Sequence, residues 1–331
     1  MTLMTKVRCV GHAGRALAPS LASSRTTASS ARRTNVRYGN KSARTTTTRT
    51  TRTTTSSTST SASGGGGLVA SCPELEAIVK AEVVSCADES KTVTLGELWS
   101  QKDGERHVLV FLSHFGDLTS WEYAQKLRDN MDELVEKGGG GVSVIGLGSA
   151  SNGRKFAELL DFPLANLYAD SNGLLYKELG FAEGFLPDAN VSPYVKLLGM
   201  LTGFGSPGTI QEVIRGYVGD RDSKQIFDSS LFNILGEGYQ RPMELATLRL
   251  SNMIALGPLA PKGAPKSGVL PNWSELVSDE KLICQQGGTL AFSGAKLIHI
   301  QRDQGILKYA DIDVLLEALD KEYQDVVEGL E

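Results

Sequence analysis

The chain has 331 residues, of which 40% are hydrophobic, and a formal net charge of −4. This is enough material for a sizeable core in one large domain or two modest ones. No apolar run is long enough to cross a bilayer, so we expect no transmembrane segment. Residues 1–66 hold eleven of the 34 Lys and Arg residues and no Asp or Glu, so the remainder carries 23 basic against 38 acidic residues. That acidic body argues against a nucleic-acid or anionic-lipid partner engaged by global charge, and leaves local basic patches open.

Residues 1–67 form a basic leader that is rich in Ser and Thr. Its composition cannot bury a core and lacks the compact apolar region of a secretory signal, so it indicates a disordered organellar transit peptide. The alternative is a basic arm that binds nucleic acid, although its arginines are scattered and not clustered. Residues 68–331 are the predicted folded domain.

The first elements of that domain are a short helix at 73–80, a strand ending at Cys86 and a second strand near 91–95. Residues 107–113 are nearly all apolar, which is typical of a strand buried on both faces. A long amphipathic helix follows, and the glycines after Lys137 end it.

The turn between this strand and helix is the candidate site, because unpaired amide groups at a helix N-terminus favour an anion. Asp117 can cap the helix, or Thr119 can cap it together with Glu122 in a capping box. A sharper hypothesis pairs His114 and Asp117 as acid and base. The predicted ligand or partner face consists of His114, Phe115, Gly116, Asp117, Thr119, Trp121 and Arg241.

A strand over 142–147 follows, and its spacing from the first predicts a parallel pair with a right-handed crossover. Gly146, Gly148 and Gly153 imitate a dinucleotide-binding loop. Ser151 stands where that fingerprint needs its third small residue, so we interpret the loop as a tight turn without a nucleotide cofactor.

Residues 183–257 are more than a minimal α/β fold needs. They are predicted to form a helical insertion over the face that carries the candidate turn at Asp117. The segment 191–201 is apolar nearly all round, which favours burial against the sheet, with a docking face for a protein or lipid surface as the alternative. A further helix is predicted to start at Arg241-Pro242. Beneath the insertion, Arg215, Arg241 and Arg249 either form an anion site or are solvated.

Near the C-terminus, residues 289–293 and 296–301 read as two strands joined by the turn Gly294-Ala295, and residues 312–327 as a closing helix. The resulting order is strand, helix, strand, helix, strand, strand, helix.

Several segments carry a family resemblance: Leu167-Tyr168-Ala169-Asp170, Tyr176 to Gly180, Gln285 to Thr289 and Arg302 to Leu307. Over residues 89–320 the chain resembles the peroxiredoxin-like 2 branch of the alkyl hydroperoxide reductase and thiol-specific antioxidant (AhpC/TSA) superfamily, in its plastid and cyanobacterial form. The resemblance implies an α/β thioredoxin-like fold, a central mixed sheet flanked by helices, and together with the leader it implies a chloroplast location, in the stroma or on thylakoids. Redox-active relatives carry Cys-x-x-Cys after the Gly of the motif, where this chain has Asp117 and Ser120.

The cysteines are Cys9, Cys72, Cys86 and Cys284, and their spacing predicts no zinc site. Two functional hypotheses follow. The first is a binding or regulatory module, not an enzyme, whose partner is an unknown protein or small ligand. The second is an antioxidant thiol oxidoreductase that uses Cys86, Cys284 or a partner's thiol. We expect no cofactor and no metal in either case.

Overall fold

The computed structural model describes residues 72–102, 104–138, 141–228, 231–257, 260 and 263–328. All of them lie in one compact unit, residues 65–331. The leader predicted over residues 1–67 lies outside the described residues.

Seven strands form one mixed sheet in the order β2-β1-β5-β4-β3-β6-β7. Strands β3, β4 and β5 are parallel, whereas β6 pairs antiparallel with β3 and with β7. The lead-in strands β1 and β2 extend the sheet beyond β5 by antiparallel pairing. This confirms the predicted thioredoxin-like α/β fold. The strands are β1 (Glu82–Ser85), β2 (Thr92–Thr94), β3 (Arg106–His114), β4 (Val142–Leu147), β5 (Leu167–Asp170), β6 (Gly288–Ser293) and β7 (Lys296–Arg302).

Helices cover both faces of the sheet. Along β3, Val108, Val110 and Leu112 enter one core cluster while Leu109 and Phe111 enter the other. This alternation explains why the strand is apolar throughout, since each face has its own core. The helices are α1 (Pro73–Ile78), α2 (Leu118–Asp129), α3 (Met131–Gly138), α4 (Ala150–Leu160), α5 (Leu174–Glu178), α6 (Pro193–Leu201), α7 (Thr209–Val218), α8 (Glu244–Ile254), α9 (Trp273–Leu276) and α10 (Ile312–Glu328).

The predicted long helix after the motif is two helices, which is a difference from the sequence prediction. Asn130 separates α2 from α3 with φ −115° and ψ 13°, outside helical geometry. Its side-chain amide donates to the carbonyl of Lys126 at 2.8 Å. Asn readily bonds to nearby backbone in this way, and a periodicity of apolar residues does not detect such a break.

The insertion contributes α6, α7 and α8, and here two predictions were wrong. Helix α6 is not buried, because Val195 is 57% and Leu198 62% exposed, while Met200 alone among its residues lies in the core. Helix α8 starts at Glu244, not at Pro242. Met243 adopts a left-handed conformation with φ 67°, which sets the helix start after it.

Candidate functional site

Asp117 caps helix α2 at the end of the central strand. Its backbone is extended, with φ −83° and ψ 134°, and its carboxylate accepts a hydrogen bond from the amide of Thr119 at 3.3 Å. The Asp117 amide donates to the carbonyl of His114 at 2.9 Å, which closes the turn after β3. The first of the two capping alternatives is therefore the one formed, and an acceptor satisfies one of the free amides of the helix.

Ser113 joins the two motif positions, Asp117 and Ser120, at which the family resemblance implies cysteine in redox-active proteins. Its hydroxyl donates to the Asp117 carboxylate in a short hydrogen bond and lies 2.7 Å from the Ser120 hydroxyl. Since the Ser113 proton is directed at Asp117, the Ser120 hydroxyl is the donor between the two serines. Asp117, Ser113 and Ser120 thus form one continuous hydrogen-bonded chain with no sulfur in it.

Thr119 and Glu122 do not form the alternative capping box. The Thr119 hydroxyl accepts from the amide of Leu307 at 3.0 Å, which ties the start of α2 to the C-terminal segment. Glu122 is completely buried and bonds to Arg249 on α8 and to Tyr309. That prediction was wrong because tertiary partners, and not the local helix end, satisfy both side chains.

Asp303, which follows β7, is the site residue that sequence reasoning missed. It is 7% exposed, and one of its carboxylate oxygens has no hydrogen-bond partner among the described residues. Burial, reinforced by the charge of Asp117, raises the pKa of Asp303 to about 8, against a hydrogen bond from Gln301 that lowers it. Asp303 lines a cavity of about 10 Å³, the size of one water molecule, together with Asp117, Ser113, Ser120, Tyr123 and Gln286.

Asp303 and Asp117 both line this cavity. Burial favours the neutral form of the Asp303 carboxyl at neutral pH. The signal in the sequence that could have identified Asp303 is its place as a polar residue directly after a strand. Its position beside the motif depends on the pairing of β6 with β3, which only the fold supplies.

His114 is not part of an acid/base pair. Its ring is 4% exposed and packs edge-on against Trp273 at 5.7 Å between ring centroids. The Nδ1 atom of its ring has no hydrogen-bond partner among the described residues, so the contact between His114 and Asp117 is the backbone hydrogen bond of the turn and not a bond to the ring. Burial lowers the pKa of His114 although the charge of Asp117 opposes this. The ring therefore stays neutral near pH 7.

The remaining residues of the predicted ligand or partner face lie inside the protein. Trp121 and Phe115 are fully buried, and the indole of Trp121 donates to the carbonyl of Phe115 at 2.7 Å. Gly116 is buried as well, and a Cβ added there would meet the Val277 side chain at 2.7 Å. Arg241 is also wrong as a face residue, because it is fully buried in an ion pair with Glu244 at 2.6 Å. Among the predicted face residues, which all lie in described ranges, Asp117 is the one that is partly exposed.

The glycines that imitated a nucleotide-binding loop make room for packing. A Cβ on Gly146 would overlap Phe115, and one on Gly153 would overlap Cys86 and Phe115. Ser149 caps α4 in a capping box with Asn152. The loop is therefore filled by protein side chains at the place where a pyrophosphate would need open space.

Neither Cys86 nor Cys284 is set up as a reactive thiol. Cys86 is fully buried, and burial raises the pKa of its thiol to about 12 even though Arg154 opposes the shift. Burial also raises the pKa of Cys284, which is 4% exposed. A reactive cysteine needs the thiolate, which these surroundings disfavour. Cys72 is half-buried at the start of the six-residue α1 and is far in sequence from the motif.

Within the described ranges, no group of three or more His, Cys, Asp and Glu side chains is placed to hold a metal ion. None of the described helices combines the length and the apolar character needed to cross a bilayer.

The mixed sheet and its flanking helices define a thioredoxin-like α/β protein. The family model for the AhpC/TSA antioxidant enzymes matches residues 126–305, and the chain belongs to that family. The matched region begins inside α2, after the motif positions 117–120. No curated protein matches the chain in sequence.

Among the solved structures to which the chain is similar, three come from bacteria. Peroxidoxin BcpB of Mycobacterium tuberculosis is 25% identical over 32% of this chain and 64% of its own length, with a TM-score of 0.26. The bacterioferritin comigratory protein of Xanthomonas campestris is 11% identical over 74% of this chain and 94% of its own, with a TM-score of 0.35. A peroxiredoxin-like protein of Aquifex aeolicus is 10% identical over 73% of this chain and 83% of its own, with a TM-score of 0.32.

Proposed function

We propose that this member of the AhpC/TSA family acts by binding a partner protein and performs no thiol chemistry at its motif. The observation that supports the proposal is the hydrogen-bonded chain of Asp117, Ser113 and Ser120 at the motif positions where the family resemblance implies cysteines. A carboxylate at a helix start is as well stabilised as a thiolate but offers no sulfur to be oxidised by a peroxide.

The insertion supplies a surface for a partner. Between residues 191 and 218, all of which are described, no exposed residue carries a charge. Lys196 donates to the carbonyl of Pro187, and Glu212 and Arg215 pair with each other, so the three charged side chains of the segment are half-buried and engaged. The exposed apolar residues on it are Val191, Tyr194, Val195, Leu198, Leu201, Phe204, Ile210, Val213, Ile214, Tyr217 and Val218.

A surface of this composition is unusual on a protein that works alone and resembles the core of a protein interface, where charged residues are depleted and aromatic residues enriched. It also lies beside the motif, because Leu118 of α2 packs against the cluster of Met200, Ile283 and Leu307 that anchors α6. A partner on the insertion therefore sits next to the capped turn. The acidic body of the chain argues against an anionic membrane as the occupant.

The test is capture of a partner from plastid extract by the immobilised protein and by two matched variants. Leu198→Asp with Ile214→Asp places two charges on the insertion surface, whereas Leu174→Asp places one at an equally exposed apolar position on α5. We expect a captured protein that the insertion variant loses and the α5 variant keeps. Equal capture by both variants, or binding of the protein to neutral lipid vesicles in place of a protein, would contradict the proposal.

We further propose that the mature protein works in the chloroplast. The leader's eleven basic residues, absence of acidic residues and richness in Ser and Thr support this location. Fusion of residues 1–67 to a fluorescent protein should direct it to plastids in plant cells. Accumulation in the nucleus would instead favour the alternative of a basic nucleic-acid-binding arm.

A further inference from the structure

A second, larger cavity lies between α2, the insertion and the segment before α10, and a buried ion network forms its floor. Glu122 is fully buried and binds the Arg249 guanidinium at 2.7 and 3.3 Å. The hydroxyl of Tyr309 donates to the same carboxylate at 2.5 Å. Nearby, Glu212 pairs with Arg215 at 2.8 Å.

All but one of the described cations around this cavity pair with a carboxylate. Lys308 shares Glu212 at 2.9 Å, and Arg215 also reaches Asp220 at 3.4 Å. At the rim, Arg128 pairs with Asp129 and Lys224 with Asp313, so those charges cancel, and Asp222 and Asp311 are open to solvent. Arg249 is held by Glu122, and Arg215 and Lys308 are held by Glu212. Among the described residues, one positive charge is left without a carboxylate in an ion pair.

Lys126 carries that charge. It is half-buried on α2, and its ammonium stands 4.9 Å from the centroid of the Tyr309 ring. Its ammonium forms no hydrogen bond or ion pair with another residue in the described part of the chain, and the Glu122 carboxylate near it is already bound by Arg249. Burial lowers the pKa of Lys126, although the charges of Glu122 and Asp311 oppose the shift. A half-buried ammonium without a direct counterion is costly unless an anion joins it.

The cavity has the size and lining of a ligand site. Its volume is about 540 Å³, within the range for small-molecule pockets. Lys126 lies on its wall, and the apolar side chains of Phe227, Leu248 and Ile312 line it as well. Asp117 is not among the lining residues, so this cavity is distinct from the motif turn.

We propose that this cavity binds a small organic carboxylate, with the carboxylate on the Lys126 ammonium and an apolar body against Phe227, Leu248 and Ile312. The unpaired Lys126 ammonium calls for an anionic group, and the apolar lining calls for a body that a hydrated inorganic anion lacks. The site goes beyond the proposed partner surface, since its lining contains none of the exposed apolar residues of the insertion.

The test is calorimetric titration of the protein with octanoate. Octanol, which has the apolar chain without the charge, and inorganic phosphate, which has negative charge without the chain, are the comparison ligands. Lys126→Met removes the charge and keeps the length of the side chain, and Lys224→Met is the matched control at the exposed rim. We expect octanoate to bind about tenfold or more weakly to the Lys126 variant, a charge-assisted contact having been lost, and unchanged to the Lys224 variant. The unmodified protein should bind octanol and phosphate no more tightly than the Lys126 variant binds octanoate.

Two further variants keep the proposal open to refutation. Ile226→Trp fills the cavity from a partly buried lining position and should abolish octanoate binding with Lys126 intact. The Leu198→Asp, Ile214→Asp variant should bind octanoate normally, because its changes lie outside the cavity. Absence of saturable octanoate binding, equal affinity in the Lys126 variant, or loss confined to the insertion variant would overturn the proposal. The last result would leave the partner surface standing.

Discussion

Replacement of Arg249 by Met tests how strongly the insertion is joined to the core. The change removes the guanidinium that binds Glu122 at 2.7 and 3.3 Å and leaves this carboxylate at 0% exposure with the Tyr309 hydroxyl at 2.5 Å. Breaking one side of a buried pair costs about 3–5 kcal/mol. Because the Tyr309 hydrogen bond survives, we expect about 3 kcal/mol, at the lower end of that range.

The measurement is the free energy of unfolding from urea titrations, with the denaturant slope checked for each variant. Lys137→Met is the matched control, because Lys137 pairs with Glu133 and Asp320 on the surface, where such pairs contribute about 0–1 kcal/mol. Adding Glu122→Gln to Arg249→Met should recover part of the loss, since the buried charge is gone. A loss no larger than that of the Lys137 variant would refute the role assigned to the buried pair.

The pH dependence of this difference has a definite sign. Burial raises the pKa of Glu122, but the charge and hydrogen bonds of Arg249 outweigh it, so the pKa is below its ordinary value of 4.5. A carboxyl with a depressed pKa stabilises the fold above its unfolded pKa and loses that contribution as pH falls through the folded pKa. In the Arg249 variant the carboxyl is buried without a cation bound to it, and the charge of Lys126 is the one that still acts on it among the cations that lower its pKa. The two proteins should therefore converge in stability as the pH is lowered below about 4.

Three further outcomes are expected. Asp303→Asn should remove a decline in unfolding free energy between about pH 4 and 8, since a carboxyl whose folded pKa is about 8 disfavours folding once its unfolded form ionises; an unchanged pH profile would contradict the burial of this acid. Asp117→Ala should lower the unfolding free energy by about 0.5–2 kcal/mol through loss of the cap, whereas Asp117→Asn should stay near the unmodified value, as followed by urea titration. Iodoacetamide at pH 8 should label Cys72 but not Cys86 or Cys284 in the folded protein, and labelling of either by peptide mass spectrometry would contradict their raised pKa values.

The sheet was predictable because its strands follow strong local rules. The apolar run over residues 107–113 predicted a strand with two buried faces, and β3 is that strand. The turn Gly294-Ala295 predicted the hairpin between β6 and β7, and Gly294 has the positive φ of 57° that such a turn needs. The cap at Asp117 was also predictable as one of two alternatives, because capping depends on residues within one turn. These features depend on sequence neighbours alone.

What could not be predicted depends on contacts between distant segments. Asp303 meets Asp117 through strand pairing, and Glu122 finds Arg249 at a separation of 127 residues. The segment 191–201, apolar nearly all round, predicted burial, yet Val195 and Leu198 on α6 are exposed among the described residues. An apolar surface meant for a partner has the same composition as one meant for the core, so sequence pattern does not separate them.

The most direct test of the central claim is a peroxide-consumption assay with hydrogen peroxide and an alkyl hydroperoxide, coupled to thioredoxin and glutathione reducing systems. The unmodified protein should show the same background rate as a variant with all four cysteines replaced by Ser. An Asp117→Cys, Ser120→Cys variant serves as the positive control, since it places thiols at the helix start where a thiolate is stabilised. Turnover by the unmodified protein that the cysteine-free variant loses would contradict the account and place the active site at a cysteine outside the motif.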